Sequence, residues 1–276
     1  PAPGFSEYKA ALEASRIPVR DIYYRPREDE HGKPYFEVPY LALETFAAEL
    51  KGQDGRIIVF LGNPNNPDGT LLDKNHIRTI ASMLKDANSL LVIDESFIDF
   101  VGNDTLQDNE YSMRSLVNEF DNIIVVHSFT KFYAVPGLRI GAAFSNPLII
   151  EQLNSFIPTW SVNTLAQSYT EAALNDVEYV KRTKQVLHEE QGFVYSSLDA
   201  IDGITVYPPS ANFMLFHIEQ EGITAESINE ALKKYNMIVR NCDSYMGLNN
   251  QWVRVAIKDH DTNVRLVEKL TDILKV

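Results

Sequence analysis

The sequence predicts an α/β fold, with a mostly parallel sheet in a larger first domain followed by a smaller α+β domain. Three observations predict it. Short continuous apolar runs at 56–61, 90–93 and 122–126 alternate with stretches of helical spacing, the pattern of strands buried on both faces of a parallel sheet. The length of 276 residues accommodates two packed units. Towards the C-terminus the pattern changes to short strands with intervening helices, as in a compact α+β unit.

Taken in order, Tyr8, Ala11, Leu12 and Ala14 fall at helical spacing, and 17–24 reads as a strand. A helix over 41–50 leads to the strand 56–61, and a helix over 73–85 opens on Asp73 as its cap. Strands follow at 90–93, 122–126 and 139–144. A long helical region, 165 to about 198, contains no proline. Beyond it come strands at 204–207 and 212–218, a helix, short strands at 237–240 and 252–257, and a last helix from Asp261. These give a large domain over 1–174 and a small one over 175–276. No internal repeat, low-complexity tract or Gly/Ser linker separates them, so close packing is expected.

Hydrophobic residues make up 45% and charged residues 23%, an ordinary globular composition. With 38 acidic against 25 basic side chains the net charge is -13, which argues against nucleic acid or an anionic membrane surface as partner. The apolar runs are strand-sized, far short of the roughly 20 residues that a bilayer-spanning helix needs. Cys242 is the single cysteine, so no disulfide can form within the chain and a reducing compartment, the cytoplasm, is expected. The chain opens on Pro1-Ala2-Pro3-Gly4 without Met or a targeting segment, and further sequence upstream is expected.

The chemistry concentrates at strand ends. The run 56–61 leads into Gly62-Asn63-Pro64-Asn65-Asn66-Pro67-Asp68-Gly69, which by itself is a tight turn. The run 90–93 ends in Asp94-Glu95, a carboxylate at the mouth of a sheet that needs a cationic partner. A metal-binding acid of a nucleotide-binding fold would look alike, but no Gly-x-x-x-x-Gly-Lys-Ser/Thr is present. The run 122–126 leads into Ser128-Phe129-Thr130-Lys131 and then Pro136-Gly137-Leu138-Arg139. The Ser-x-x-Lys spacing also fits penicillin-binding acyl enzymes, with Ser161-Val162-Asn163 as a second motif, but their Lys-Thr-Gly is missing. None of the six histidines stands in a metal-binding motif, since His188-Glu189-Glu190 lacks a second His a turn later. No metal is expected. A lysine to condense with an aldehyde, a carboxylate to keep a pyridine nitrogen protonated, and hydroxyls with an arginine to hold a phosphate are what pyridoxal 5′-phosphate requires. Asn66, Asp94, Lys131 and Arg139 supply this set.

These segments resemble the fold type I pyridoxal-phosphate enzymes of the histidinol-phosphate aminotransferase group. Asn63 to Gly69 is similar to its Asn-Pro-x-Asn-Pro-Thr-Gly, and Asp94-Glu95-Ser96-Phe97 to its Asp-Glu-Ala-Tyr/Phe. The resemblance implies the aspartate aminotransferase-like fold, with Lys131 holding the cofactor as a Schiff base, Asn66 and Asp94 contacting its ring, and Ser128, Thr130 and Arg139 binding its phosphate. Phe5, in Pro3-Gly4-Phe5-Ser6-Glu7-Tyr8, falls where that group stacks an aromatic on the ring. Within the group the likeness is greater to the threonine-phosphate decarboxylases of cobalamin synthesis, through Thr130 to Arg139, Pro158 to Asn163 and Val239 to Leu248. Phe97 replaces a tyrosine that many aminotransferases point at the ring's phenolic oxygen, a lack that the decarboxylase-like members share. Arg254 falls where the family binds the substrate carboxylate, and Arg240 where a second arginine meets the substrate's far anionic end.

The implied activity is that of a lyase or transferase on a small phosphorylated amino acid, preferably decarboxylation of L-threonine-O-3-phosphate, otherwise an aminotransferase of class I/II. A non-catalytic relative is the alternative from another class. A homodimer is implied as well. The group's Gly-rich phosphate loop precedes the segment at Pro3, so it is expected upstream of Pro1, and residues 1–276 alone are expected to bind the cofactor poorly.

Overall fold

A computed structural model describes residues 1–51, 56–102 and 109–275. In chain order the elements are α1 (Ser6–Ala14), β1 (Arg25–Glu28), β2 (Pro34–Glu37), α2 (Tyr40–Glu49), β3 (Ile58–Gly62), α3 (Lys74–Asp86) and β4 (Leu90–Asp94). There follow β5 (Ile123–Ser128), α4 (Phe129–Phe132), β6 (Gly141–Ser145), α5 (Pro147–Phe156), α6 (Thr164–Leu174) and α7 (Val177–Asp199). The chain closes with β7 (Ile204–Tyr207), β8 (Phe213–Ile218), α8 (Ala225–Lys233), β9 (Arg240–Asn241), β10 (Trp252–Ala256) and α9 (His260–Leu274). It divides into two compact units. One comprises Pro1–Val38, Asn65–Thr70 and Thr183–Val276, the other Pro39–Pro64 and Leu71–Arg182.

The unit of Pro39–Pro64 and Leu71–Arg182 is built on a sheet in the order β3-β4-β5-β6. β3, β4 and β5 run parallel, with Gly62 opposite Asp94 and Asp94 opposite Val126. Leu61, Leu91, Ile93, Ile123 and Val125 are fully buried, as their continuous apolar runs require. α3 covers this sheet with Ile77, Ile80, Ala81 and Leu84, all fully buried. Each of the larger three contributes about 1.5 to 3 kcal/mol of burial. Asp73 caps α3, accepting the backbone N–H groups of Asn75 and His76 at 2.9 and 3.0 Å, which satisfies two of the helix's orphan donors.

The expected strand 139–144 begins at Gly141 and runs antiparallel to β5, with Gly141 opposite Ser128. A Cβ at Gly141 would meet the His127 carbonyl oxygen at 2.5 Å, so only glycine lets β6 enter the ladder. The expected single helix 165–198 is two helices, α6 and α7, broken at Asn175 and Asp176. Asp176 Oδ1 accepts the Tyr179 N–H at 2.9 Å, so a new capping carboxylate breaks the run where no proline does.

In the other unit β7, β8, β10 and β9 form an antiparallel sheet in that order. Tyr24, Phe36, Tyr207, Leu215, Cys242, Tyr245 and Trp252 form one of its core clusters, with Phe36 4.9 Å from Tyr207 and 5.5 Å from Trp252 between ring centroids. α8 and α9 bury Ile228, Leu232, Leu270 and Leu274. The expected strand 17–24 is not one. Pro18 offers no donor and Ile17 is exposed, so only an isolated bridge between Ala2 and Tyr23 forms. The extended backbone begins at β1, which pairs with β2 as an exposed hairpin. The strand expected at 237–240 reduces to β9 at the end of that range.

Candidate functional site

The parallel strands deliver their ends to one edge of their sheet, where ligands of α/β folds gather. Asp94 is the last residue of β4, half-buried, and its Oδ1 accepts the Ser96 N–H at 2.8 Å. Neighbouring β5 ends in Ser128, which caps the single turn α4. Ser128 Oγ lies 2.7 Å from the Thr130 Oγ1 and accepts from Lys131 Nζ at 3.2 Å. Lys131 is solvent-exposed at the edge, with its Nζ 5.7 Å from the centre of the Phe97 ring.

Desolvation by the surrounding protein holds the Lys131 ammonium below the ordinary lysine range; the Asp94 charge opposes this and the Arg139 charge adds to it. Burial, hydroxyl and carboxylate thus meet on one amine. Arg139 follows a 3-10 turn over Pro136–Leu138 in the left-handed conformation, φ 54°, and its Nη1 donates to the Pro136 carbonyl at 2.9 Å. Asp94, Phe97, Ser128, Thr130, Lys131 and Arg139 are therefore gathered within one unit.

Asn66, Arg254, Arg240 and Phe5 belong to the other. There Asn66 Oδ1 accepts from Arg254 Nη1 and, at 3.0 Å, from the Tyr245 hydroxyl. Arg254 and Arg240 stand directly opposite each other across the β9–β10 ladder. Two like charges so placed repel and call for an anion. Arg254 lies 5.0 Å over the Phe213 ring and Arg240 5.5 Å over the Tyr245 ring, while Arg240 Nη2 donates to Ser244 Oγ at 2.7 Å. Phe5, exposed at the start of α1, meets Tyr8 edge-on at 5.5 Å. Tyr245 joins this cluster; it lies in the family-like stretch Val239 to Leu248, which by itself assigns it no role, since its place depends on a register that the sequence does not spell out.

Among the described residues there is no group of three or more His, Cys, Asp or Glu that could hold a metal ion, and no helix long and apolar enough to cross a membrane.

The chain matches the family of class I and II aminotransferases over residues 1–270. It is 31% identical over 272 residues to the adenosylcobalamin biosynthesis bifunctional protein CobDQ of Leptospira interrogans, covering 98% of this chain and 29% of that protein. It is 33% identical over 278 residues to threonine-phosphate decarboxylase of Salmonella typhimurium, covering 99% of this chain and 69% of the other. Its fold superposes on the crystal structure of histidinol-phosphate aminotransferase from Clostridium acetobutylicum with a TM-score of 0.85, at 25% identity, over 99% of this chain and 76% of that one. The chain belongs to the aminotransferase class I and II family.

Proposed function

We propose that this chain supplies the reactive lysine of a pyridoxal 5′-phosphate enzyme acting on a small phosphorylated amino acid, and that its reaction is decarboxylation of L-threonine-O-3-phosphate. The observation that carries the reading is the cluster around Lys131. An amine whose ammonium is disfavoured, with a carboxylate and an arginine acting on it and two hydroxyls beside it, fits the aldehyde, ring nitrogen and phosphate of that cofactor. When bound, the cofactor supplies an electron sink that makes a bond at the substrate's α-carbon labile.

The chain's own groups do the rest. Asp94 would hold a proton on the ring nitrogen, and Ser128, Thr130 and Arg139 would bind the phosphate. Lys131 Nζ would hold the cofactor through its aldehyde and would move a proton at the substrate's α-carbon. Asn66 would contact the ring, Phe5 would stack on it, and Phe97 stands where many aminotransferases have a tyrosine near the ring's phenolic oxygen. Arg254 binds the substrate carboxylate and Arg240 its phosphate, and their cross-strand pairing supports a dianionic substrate. The preference for decarboxylation is supported by the Salmonella relative and by Phe97, whose ring carries no hydroxyl.

A second reading, transamination, is favoured by the superposition on the Clostridium aminotransferase. A homodimer is supported by the exposed Leu148, Phe156, Ile157, Trp160 and Leu165, all in one unit, with Trp160 93% and Phe156 84% exposed. The single, buried Cys242 suits the cytoplasm.

Full-length protein is incubated with L-threonine phosphate, and separately with histidinol phosphate and 2-oxoglutarate, while carbon dioxide and glutamate are measured. Carbon dioxide with aminopropanol phosphate is the expected result. Glutamate without carbon dioxide leaves an aminotransferase, and no visible absorbance on adding the cofactor leaves a non-catalytic relative.

A further inference from the structure

A buried histidine–aspartate contact ties together the two segments that carry the groups gathered around Lys131. His127 Nε2 lies 2.8 Å from Asp99 Oδ2, and the two side chains are only 3% and 6% exposed. Asp99 lies in the 3-10 turn Ile98–Phe100, shortly after Asp94 and Phe97. His127 lies on β5 immediately before Ser128 and the Lys131 turn. Alternation along the strand puts His127 and Ser128 on opposite faces. The pair therefore sits behind the site rather than in it.

Its surroundings leave the imidazole little freedom. The His127 ring packs 5.0 Å from Phe129, the first residue of α4, and meets Phe144 edge-on at 6.5 Å. Its partner on β6 is Ala142, beside the close approach of Gly141 to the His127 carbonyl. Fully buried Glu95 also lies within electrostatic range of His127. Glu95 is itself committed, accepting from Ser112 Oγ and the Met113 N–H, both at 2.6 Å, and from Asn63 Nδ2 at 3.2 Å. His127 thus faces two buried carboxylates and joins only Asp99 of them at 2.8 Å. Buried pairs contribute little net stability compared with apolar residues of the same volume, so what this one adds is placement.

We propose that Asp99 and His127 are positioning residues, whose pair fixes the Asp94–Phe97 segment against the Lys131 turn and so holds Lys131 Nζ in register with Asp94. The proposal rests on the reading of Lys131 as the cofactor-bearing lysine. If the pair is broken, α4 loosens and Nζ, already partly in water, is hydrated further, which lessens the desolvation that disfavours its ammonium.

The test compares full-length wild type with Asp99→Asn, His127→Gln, the double variant and His127→Arg, which places a hydrogen-bond donor within reach of Asp99. In cofactor-free protein the pH dependence of Lys131 acetylation, read by peptide mass spectrometry, should move up towards the ordinary lysine value in both single variants and return in His127→Arg. In the holoenzyme kcat should fall on the order of 10-fold to 100-fold, as for a displacement of about 1 Å, with KM changed less than about twofold. The double variant should be no worse than either single one. An unshifted Lys131 titration in a variant with native near-ultraviolet circular dichroism, or losses that multiply in the double variant, would overturn the proposal. Wild type that develops no visible absorbance with the cofactor would sink the reading of Lys131 instead, because the acetylation profile is read without cofactor.

Discussion

Replacing Asn66 by alanine should destabilise the cofactor-free protein about threefold more, in free energy, than replacing Tyr245 by phenylalanine. The Tyr245 hydroxyl donates to Asn66 Oδ1 at 3.0 Å, and Arg254 Nη1 donates to the same oxygen. Tyr245→Phe removes this neutral hydrogen bond and a long, 3.4 Å contact that the hydroxyl accepts from Arg254 Nη1, with Arg254 still satisfied by Asn66, a loss of about 1 kcal/mol. Asn66→Ala removes the shared acceptor of both donors and leaves the half-buried guanidinium only its long, 3.4 Å contact to the Tyr245 hydroxyl, so about 1 kcal/mol for the neutral bond and about 2 kcal/mol for the charged one are lost together. In the double variant the Tyr245 contribution has already gone, and the total stays near that of Asn66→Ala. Urea unfolding of the four proteins without cofactor measures this, free of any contact that Asn66 makes to the ring. Equal losses in the two single variants, or a double variant additive within about 0.5 kcal/mol, would refute the shared-acceptor argument.

Asp94→Asn should fold as wild type yet lose most turnover, because the amide cannot hold the ring nitrogen protonated; unchanged kcat refutes that role. Burial holds the Glu95 carboxyl above its ordinary value of 4.5. The folded state therefore keeps its proton to higher pH than the unfolded state, and stability falls as pH rises from the unfolded pKa through the raised folded one. Relative to Glu95→Gln, wild type should then lose stability across that window and level off above it, and urea midpoints showing the opposite slope would exclude this. Leu165→Glu, on a side chain 74% exposed among the other exposed apolar residues of its unit, should shift sedimentation from dimer towards monomer. A wild-type monomer would remove the homodimer altogether.

Much of the fold was legible because strand burial leaves a local trace. The continuous runs of β3, β4 and β5 and the cap at Asp73 need no partner to be recognised. So too Asp94, Ser128 and Lys131, since strand ends can be read from one chain segment at a time. The antiparallel sense of β6 could not be read, because it depends on which edge accepts the strand, and the only local trace is Gly141 pressed against the His127 carbonyl. Nor could the exposed hairpin β1–β2, which buries little beyond Phe36 and so carries no run of apolar residues. Tyr245 and the Asp99–His127 pair were hidden for the same reason. Their partners are distant in sequence, and single polar or aromatic residues give no periodic signal.

Arg139 occupies a backbone conformation, φ 54° and ψ 57°, that glycine adopts freely and a side-chain-bearing residue adopts at a cost of roughly 1 to 2 kcal/mol. Set against the roughly 0.5 to 1 kcal/mol of extra chain entropy that a glycine must give up, Arg139→Gly should fold as well as wild type or better by up to about 1.5 kcal/mol. The arginine is thus kept where folding alone would not select it. A library screened only for heat resistance should accumulate glycine at this position, and the survivors should be the variants that bind the cofactor worst.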